Sequence, residues 1–81
     1  MVNNAEQIVL ESLAEITGLE SEELTEIRMS NLFENGILDS LSLVNLLTRI
    51  EKKSKAHIDI RLLKPENILT IDALIAMTAA L

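Results

Sequence analysis

Three segments of this chain begin in the same way. An apolar residue is followed by a side chain able to cap a helix, and a second apolar residue stands five positions after the first. The sets are Leu38, Asp39 and Leu43; Ile58, Asp59 and Leu63; and Leu69, Thr70 and Leu74. An oxygen at the cap can accept a free backbone N–H of the first turn, and the flanking apolar pair can close over it as a hydrophobic staple. This pattern predicts helices opening near residues 40, 60 and 71. The first runs over 40–53, with Leu43, Val44, Leu46, Leu47 and Ile50 as an apolar stripe and Lys52 and Lys53 near its negative pole. The second is short, 59–64, and is stopped by Pro65. The third covers 71–80, with Ile71, Leu74, Ile75 and Thr78 on one side. A further helix is predicted over 3–17 from Ala5, Ile8, Val9, Leu13 and Ile16, with Asn3 as cap, Glu6 reaching back to it, and Gly18 as the stop.

Between the first and second long helices lie residues 19–38. A structureless link of that length is uncommon inside a small domain. Leu24, Ile27, Leu32 and Phe33 are spaced to pin it over the core, with a helical turn near 21–28 and a turn at Asn35-Gly36. No strand pattern competes. The expectation is one all-α domain over 1–81: a four-helix bundle of three main helices, one short helix and a long first loop. With 81 residues, such a domain buries about 60% of the surface its unfolded chain exposes. Its core is aliphatic, since Phe33 is the only aromatic residue; Leu47 belongs to it by periodicity, and Met29 and Met77 are expected as gap-fillers.

Composition removes most chemistry. There is no cysteine, so thiolate nucleophiles, disulfides and cysteine-bound metals are excluded. The single histidine, His57, stands in a polar stretch as an ordinary surface residue. Base-stacking aromatics are missing, which argues against single-stranded nucleic acid. Residues 1–34 carry eight acids and one base, a net −7, while residues 35–81 carry five acids and six bases, a net +1. The acidic half disfavours phosphate backbones and suits either basic protein partners or plain solubility. No apolar run reaches 18 residues and no signal pattern opens the chain, so a soluble, cytoplasmic monomer is expected.

One residue stands out. Ser40 follows Gly36 and Asp39 at a loop-to-helix junction, where unpaired N–H groups and the helix dipole favour a phosphate. Taken alone, a serine there is an ordinary cap. Asp39 already supplies a capping oxygen, which leaves the Ser40 hydroxyl free. Ser12 and Ser42 fall within helices, Ser54 just beyond one, and Ser21 and Ser30 lack the flanking pattern.

The run Leu32-Phe33-Glu34-Asn35-Gly36-Ile37-Leu38-Asp39-Ser40-Leu41, followed by Val44 and Leu47, resembles the acyl and peptidyl carrier proteins. The later Leu63-Lys64-Pro65-Glu66-Asn67-Ile68 and Thr70-Ile71 resemble the second half of such carriers, so the likeness spans essentially the whole chain. It implies that Ser40 bears 4′-phosphopantetheine derived from coenzyme A, whose thiol supplies the nucleophile that the chain lacks. It implies that Asp39 engages the phosphopantetheinyl transferase as well as capping, and that Leu41 contacts partner enzymes. The chain would then be a non-enzymatic carrier of thioester-bound groups. Its partners would be the transferase, an acyl- or aminoacyl-activating ligase, and downstream acyltransferases or synthases of fatty acid, polyketide, nonribosomal peptide or aminoacyl transfer pathways.

The chain departs from the fatty-acid carriers in its second long helix, which in them is strongly acidic. Asn45, Thr48, Arg49, Lys52 and Lys53 stand where acids are expected, only Glu51 is acidic, and Ser54 replaces a common aromatic. Docking to a typical fatty-acid synthase is therefore disfavoured, and a dedicated ligase or secondary-metabolite enzyme fits better. The Leu-Phe-Glu-Asn-Gly-Ile-Leu-Asp-Ser stretch is also similar to D-alanyl and other aminoacyl carriers. The competing function is an unmodified helical interaction module with the same fold.

Overall fold

The computed structural model describes residues 2–81. Among them are five α-helices and no strand: α1 (Ala5–Thr17), α2 (Ser21–Glu26), α3 (Ser40–Ser54), α4 (Pro65–Ile68) and α5 (Ile71–Ala79), with a single 3-10 turn at Ile60–Leu62 before α4. The three long helices are those the apolar spacing predicts. α1 packs against both α3 and α5, α2 lies against α1, and α4 against α5. The seam between them holds Val9, Leu13, Leu24, Leu32, Leu46, Ile50, Ile71 and Leu74, all without solvent exposure.

Local chemistry sets most of the helix ends. The Asp39 carboxylate accepts the Ser42 N–H at 2.8 Å, and the Thr70 hydroxyl accepts the Ala73 N–H at 3.1 Å. Asp59 caps the 3-10 turn by accepting the Arg61 N–H at 2.8 Å. Gly18 ends α1 in the left-handed conformation (φ 78°), its N–H donating to the Ala14 carbonyl at 2.9 Å. That geometry carries no penalty for a residue lacking Cβ. α3 ends instead on Lys55 in the same left-handed region (φ 56°), where a Cβ is strained.

Several expectations are corrected. α1 opens at Ala5, and Asn4 precedes it with no side-chain cap; Asn3 does not cap, and no Glu6 contact reaches back to it. The Val2 N–H donates to the Ala79 carbonyl at 3.2 Å, so the approach to α1 is tied to the far end of α5. Pro65 does not stop a helix over 59–64. That segment is only the 3-10 turn, and Pro65 opens α4 from its first position, where its missing N–H is not needed. Met29 is 78% exposed and fills no gap, whereas Met77 is buried. Leu47 is half-buried rather than central, and Val44 is 62% exposed, because the buried face of α3 is centred on Leu46 and Ile50.

Residues 27–39 are held by named contacts. The Leu32 N–H donates to the Leu69 carbonyl at 2.8 Å, and the Leu38 N–H to the Leu32 carbonyl at 2.9 Å. Arg28 pairs with Asp72 at 2.6 Å and with Glu6, while its carbonyl accepts the Asp72 N–H at 3.2 Å. Asn31 accepts the N–H groups of Phe33 and Glu34, both at 3.0 Å, and Gly36 turns with φ 81°. The expected pinning is present, with α2 as its helical turn.

Leu46→Ala should cost about 2–5 kcal/mol by urea denaturation, and Leu47→Ala clearly less. Lys55→Gly should raise stability by roughly 0.5–1 kcal/mol in the same measurement, since it relieves the left-handed strain at an exposed position.

Candidate functional site

The environment changes sharply over four residues. Leu38 is 3% exposed and belongs to the core. Asp39 is extended (φ −132°, ψ −174°) and turns its carboxylate back over the first turn of α3. Ser40, the first residue of α3, is exposed, and Leu41 after it is 84% exposed. The Ser40 hydroxyl takes part in no hydrogen bond among the described residues. The capping work is done by Asp39, as its place in the sequence suggested.

The electrostatics suit an anion outside this helix end. α3 has 15 residues, so its dipole is fully developed, and its first turn contains no acid. The hydrogen bond from the Ser42 N–H holds the Asp39 carboxyl below the ordinary carboxylate range. Asp39 is therefore charged at neutral pH and occupied by its cap.

No other serine offers the same combination. Ser12 is fully buried between α1 and its neighbours, and its oxygen has no partner. Ser42 lies in the first turn of α3 and is half-buried. Ser54 closes α3 instead of following it, and its hydroxyl donates to the Glu51 carbonyl at 3.5 Å. Ser21 heads α2, a helix of only 6 residues.

Leu41 is not a core leucine. With Val44 it forms an exposed apolar step beside Ser40, one turn apart on α3. The spacing placed Val44 in the buried stripe, yet it stands well off the axis set by Leu46 and Ile50. Beyond Val44, Leu47, Thr48, Glu51, His57, Ile58 and Leu63 complete a groove of about 270 Å³. Glu51 Oε2 shapes its end by accepting the Ile58 N–H at 2.7 Å, and it lies 3.0 Å from His57 Nδ1. His57 itself is exposed. On the other flank, Arg49 and Lys53 converge on Glu15 of α1 at 3.0 and 2.9 Å. These cross-helix pairs leave no trace in the linear sequence.

Among the described residues there is no group of histidines, acids or cysteines able to hold a metal, and no helix is long and apolar enough to cross a membrane. The arrangement offers an accessible alcohol at a helix start and little else.

A comparison with protein families bears on the chain as a whole. The family model described as "Phosphopantetheine attachment site" matches residues 7–78, nearly the whole chain. The chain belongs to the phosphopantetheine attachment site family. Members of this family carry 4′-phosphopantetheine as a prosthetic group and serve in general as carrier domains without catalysis of their own. The helical fold agrees with that membership. The residues present also fit the group. A free hydroxyl, a helix start whose one acid, Asp39, is occupied by its cap, and open space around Ser40 leave room for a phosphodiester.

Folding should weaken in acid partly through Asp39. Its carboxyl is held low in the folded state, so its contribution is complete above about pH 4 and fades as pH falls through the lowered value. Thermal unfolding from neutral pH to pH ~3 should show a smaller acid loss for Asp39→Asn than for the wild type, since asparagine caps without titrating. Asp39→Ala should unfold at lower urea at neutral pH than either.

Proposed function

We propose that Ser40 is the attachment residue and that the chain, acting as one domain over 1–81, tethers acyl or aminoacyl groups as thioesters. The observation that carries this reading is the exposed, uncommitted Ser40 hydroxyl at the start of α3, in a chain of the phosphopantetheine attachment site family. In the loading reaction the Ser40 oxygen forms a bond to phosphorus as the pyrophosphate bond of coenzyme A breaks. The nucleotide half leaves, and the hydroxyl proton passes to the transferase.

What the protein's residues contribute is positional. Leu32 and Leu38, both buried, fix the loop, and Asp39 fixes the direction in which α3 begins. Ser40 then stands clear of the surface, with the positive end of α3 behind it. When bound, the prosthetic group supplies a thiol that holds cargo as a thioester. Attachment raises the effective concentration of the cargo at each partner that docks. Asp39 and the exposed Leu41 are the residues we assign to contact with the transferase and later partners. The partner set would be a phosphopantetheinyl transferase, an acyl- or aminoacyl-activating ligase, and downstream acyltransferases or synthases. The non-acidic α3 and the similarity of residues 32–40 to aminoacyl carriers favour aminoacyl cargo.

Incubation with coenzyme A, Mg²⁺ and a broad-specificity transferase should raise the intact mass by one phosphopantetheine. Ser40→Ala should gain nothing while keeping its helical circular dichroism. An unchanged wild-type mass, or equal gain by Ser40→Ala, overturns the assignment.

A further inference from the structure

The outward face of α3 carries Leu41, Val44, Asn45, Thr48 and Lys52, all exposed and none acidic. Their helical spacing lines them up over about 16 Å of helix. Arg49 and Lys53 border this stripe on the α1 side, and Lys55 lies beyond its end. Between α1 and α3 is a cleft of about 250 Å³ lined by Glu15, Asn45, Thr48, Arg49, Lys52 and Lys53. Glu15 pairs with both Arg49 and Lys53, and those cations hold its carboxyl below the usual range. Three cations against one carboxylate leave the cleft positive. Lys52 makes no ion pair among the described residues. Glu51, the one acid of α3, faces the other flank and is engaged by the Ile58 N–H. A molecule with net charge −6 therefore presents a positive surface toward the far end of the helix that Ser40 opens.

We infer that α3 is a docking surface for an acidic protein face. The apolar step of Leu41 and Val44 takes a hydrophobic contact, and partner carboxylates reach Lys52 and the Arg49–Lys53 cleft. Charge complementarity selects this occupant: a basic surface would meet like charges from Arg49 to Lys53, which costs specificity and encounter rate. A second copy, whose residues 1–34 are themselves acidic, is the alternative occupant that the test separates. The biological reading of this surface rests on the carrier role, because docking here brings a partner to Ser40.

The test uses isotope-labelled, unmodified full-length chain, so its outcome does not depend on whether Ser40 can be loaded; the mass assay reads that separately. The probes are an amphipathic helical peptide with leucine and glutamate on one face, and its counterpart with lysine for glutamate. The acidic peptide should shift amide resonances of residues 41–55 at low salt, and the shifts should fade at about 0.5 M salt. Lys52→Glu, which breaks no internal pair, should weaken that binding by roughly fivefold. The lysine peptide should leave the stripe unperturbed. Equal perturbation of α3 by both peptides, an acidic peptide that binds elsewhere or nowhere, or indifference to Lys52→Glu overturns the inference. Concentration-dependent shifts of the same resonances without peptide also overturn it, in favour of a second copy.

Discussion

The burial of Leu38 immediately before the Asp39 cap is the constraint on which the rest depends. Leu38 is in the core, its N–H is bound to the Leu32 carbonyl, and Leu32 is in turn bound to Leu69. The loop therefore arrives at α3 with one end fixed. Asp39 must then turn the chain into a helix within a single residue, and its carboxylate pays for that turn by taking the Ser42 N–H. Ser40 is left outside, facing solvent. The serine itself touches none of these contacts.

This arrangement separates the duties of neighbouring residues. Stability resides in Leu38 and Asp39, while the role we propose leaves chemistry to Ser40 and recognition to Leu41 and the face beyond. A hydroxyl that caps its own helix would have to give up that bond on modification. Here the bond belongs to Asp39, so esterification of Ser40 removes nothing from the fold. At the opposite end of the loop, Arg28 joins α1 and α5 through Glu6 and Asp72.

Charge follows a similar division. The acids crowd the first 34 residues, while α3 carries its cations on or beside its open face. The fold turns that uneven distribution into a surface feature by holding Glu15 between Arg49 and Lys53 and drawing Glu51 toward the Ile58 N–H. What remains on the outer stripe is apolar near Ser40 and cationic further along.

The sequence by itself determined the parts whose cause is local. The caps at Asp39, Asp59 and Thr70, the left-handed stop at Gly18, the helical periodicity and the free hydroxyl of Ser40 each depend on residues within one turn. A proline fits the first position of a helix as readily as it breaks one, so Pro65 was legible in either sense until Asn67 and the α4–α5 packing gave it a place. Tertiary structure alone decided the rest. Met29 and Val44 are apolar, yet both stand in solvent, while Leu46 and Ile50 take the buried face of α3, a helix that packs against α1. The start of α1 at Ala5 goes with the bond from Val2 to Ala79, and the positive cleft arises from pairs 34 and 38 residues apart. Periodicity reports which residues share a face, whereas only the neighbouring helices determine how wide a strip of that face they cover.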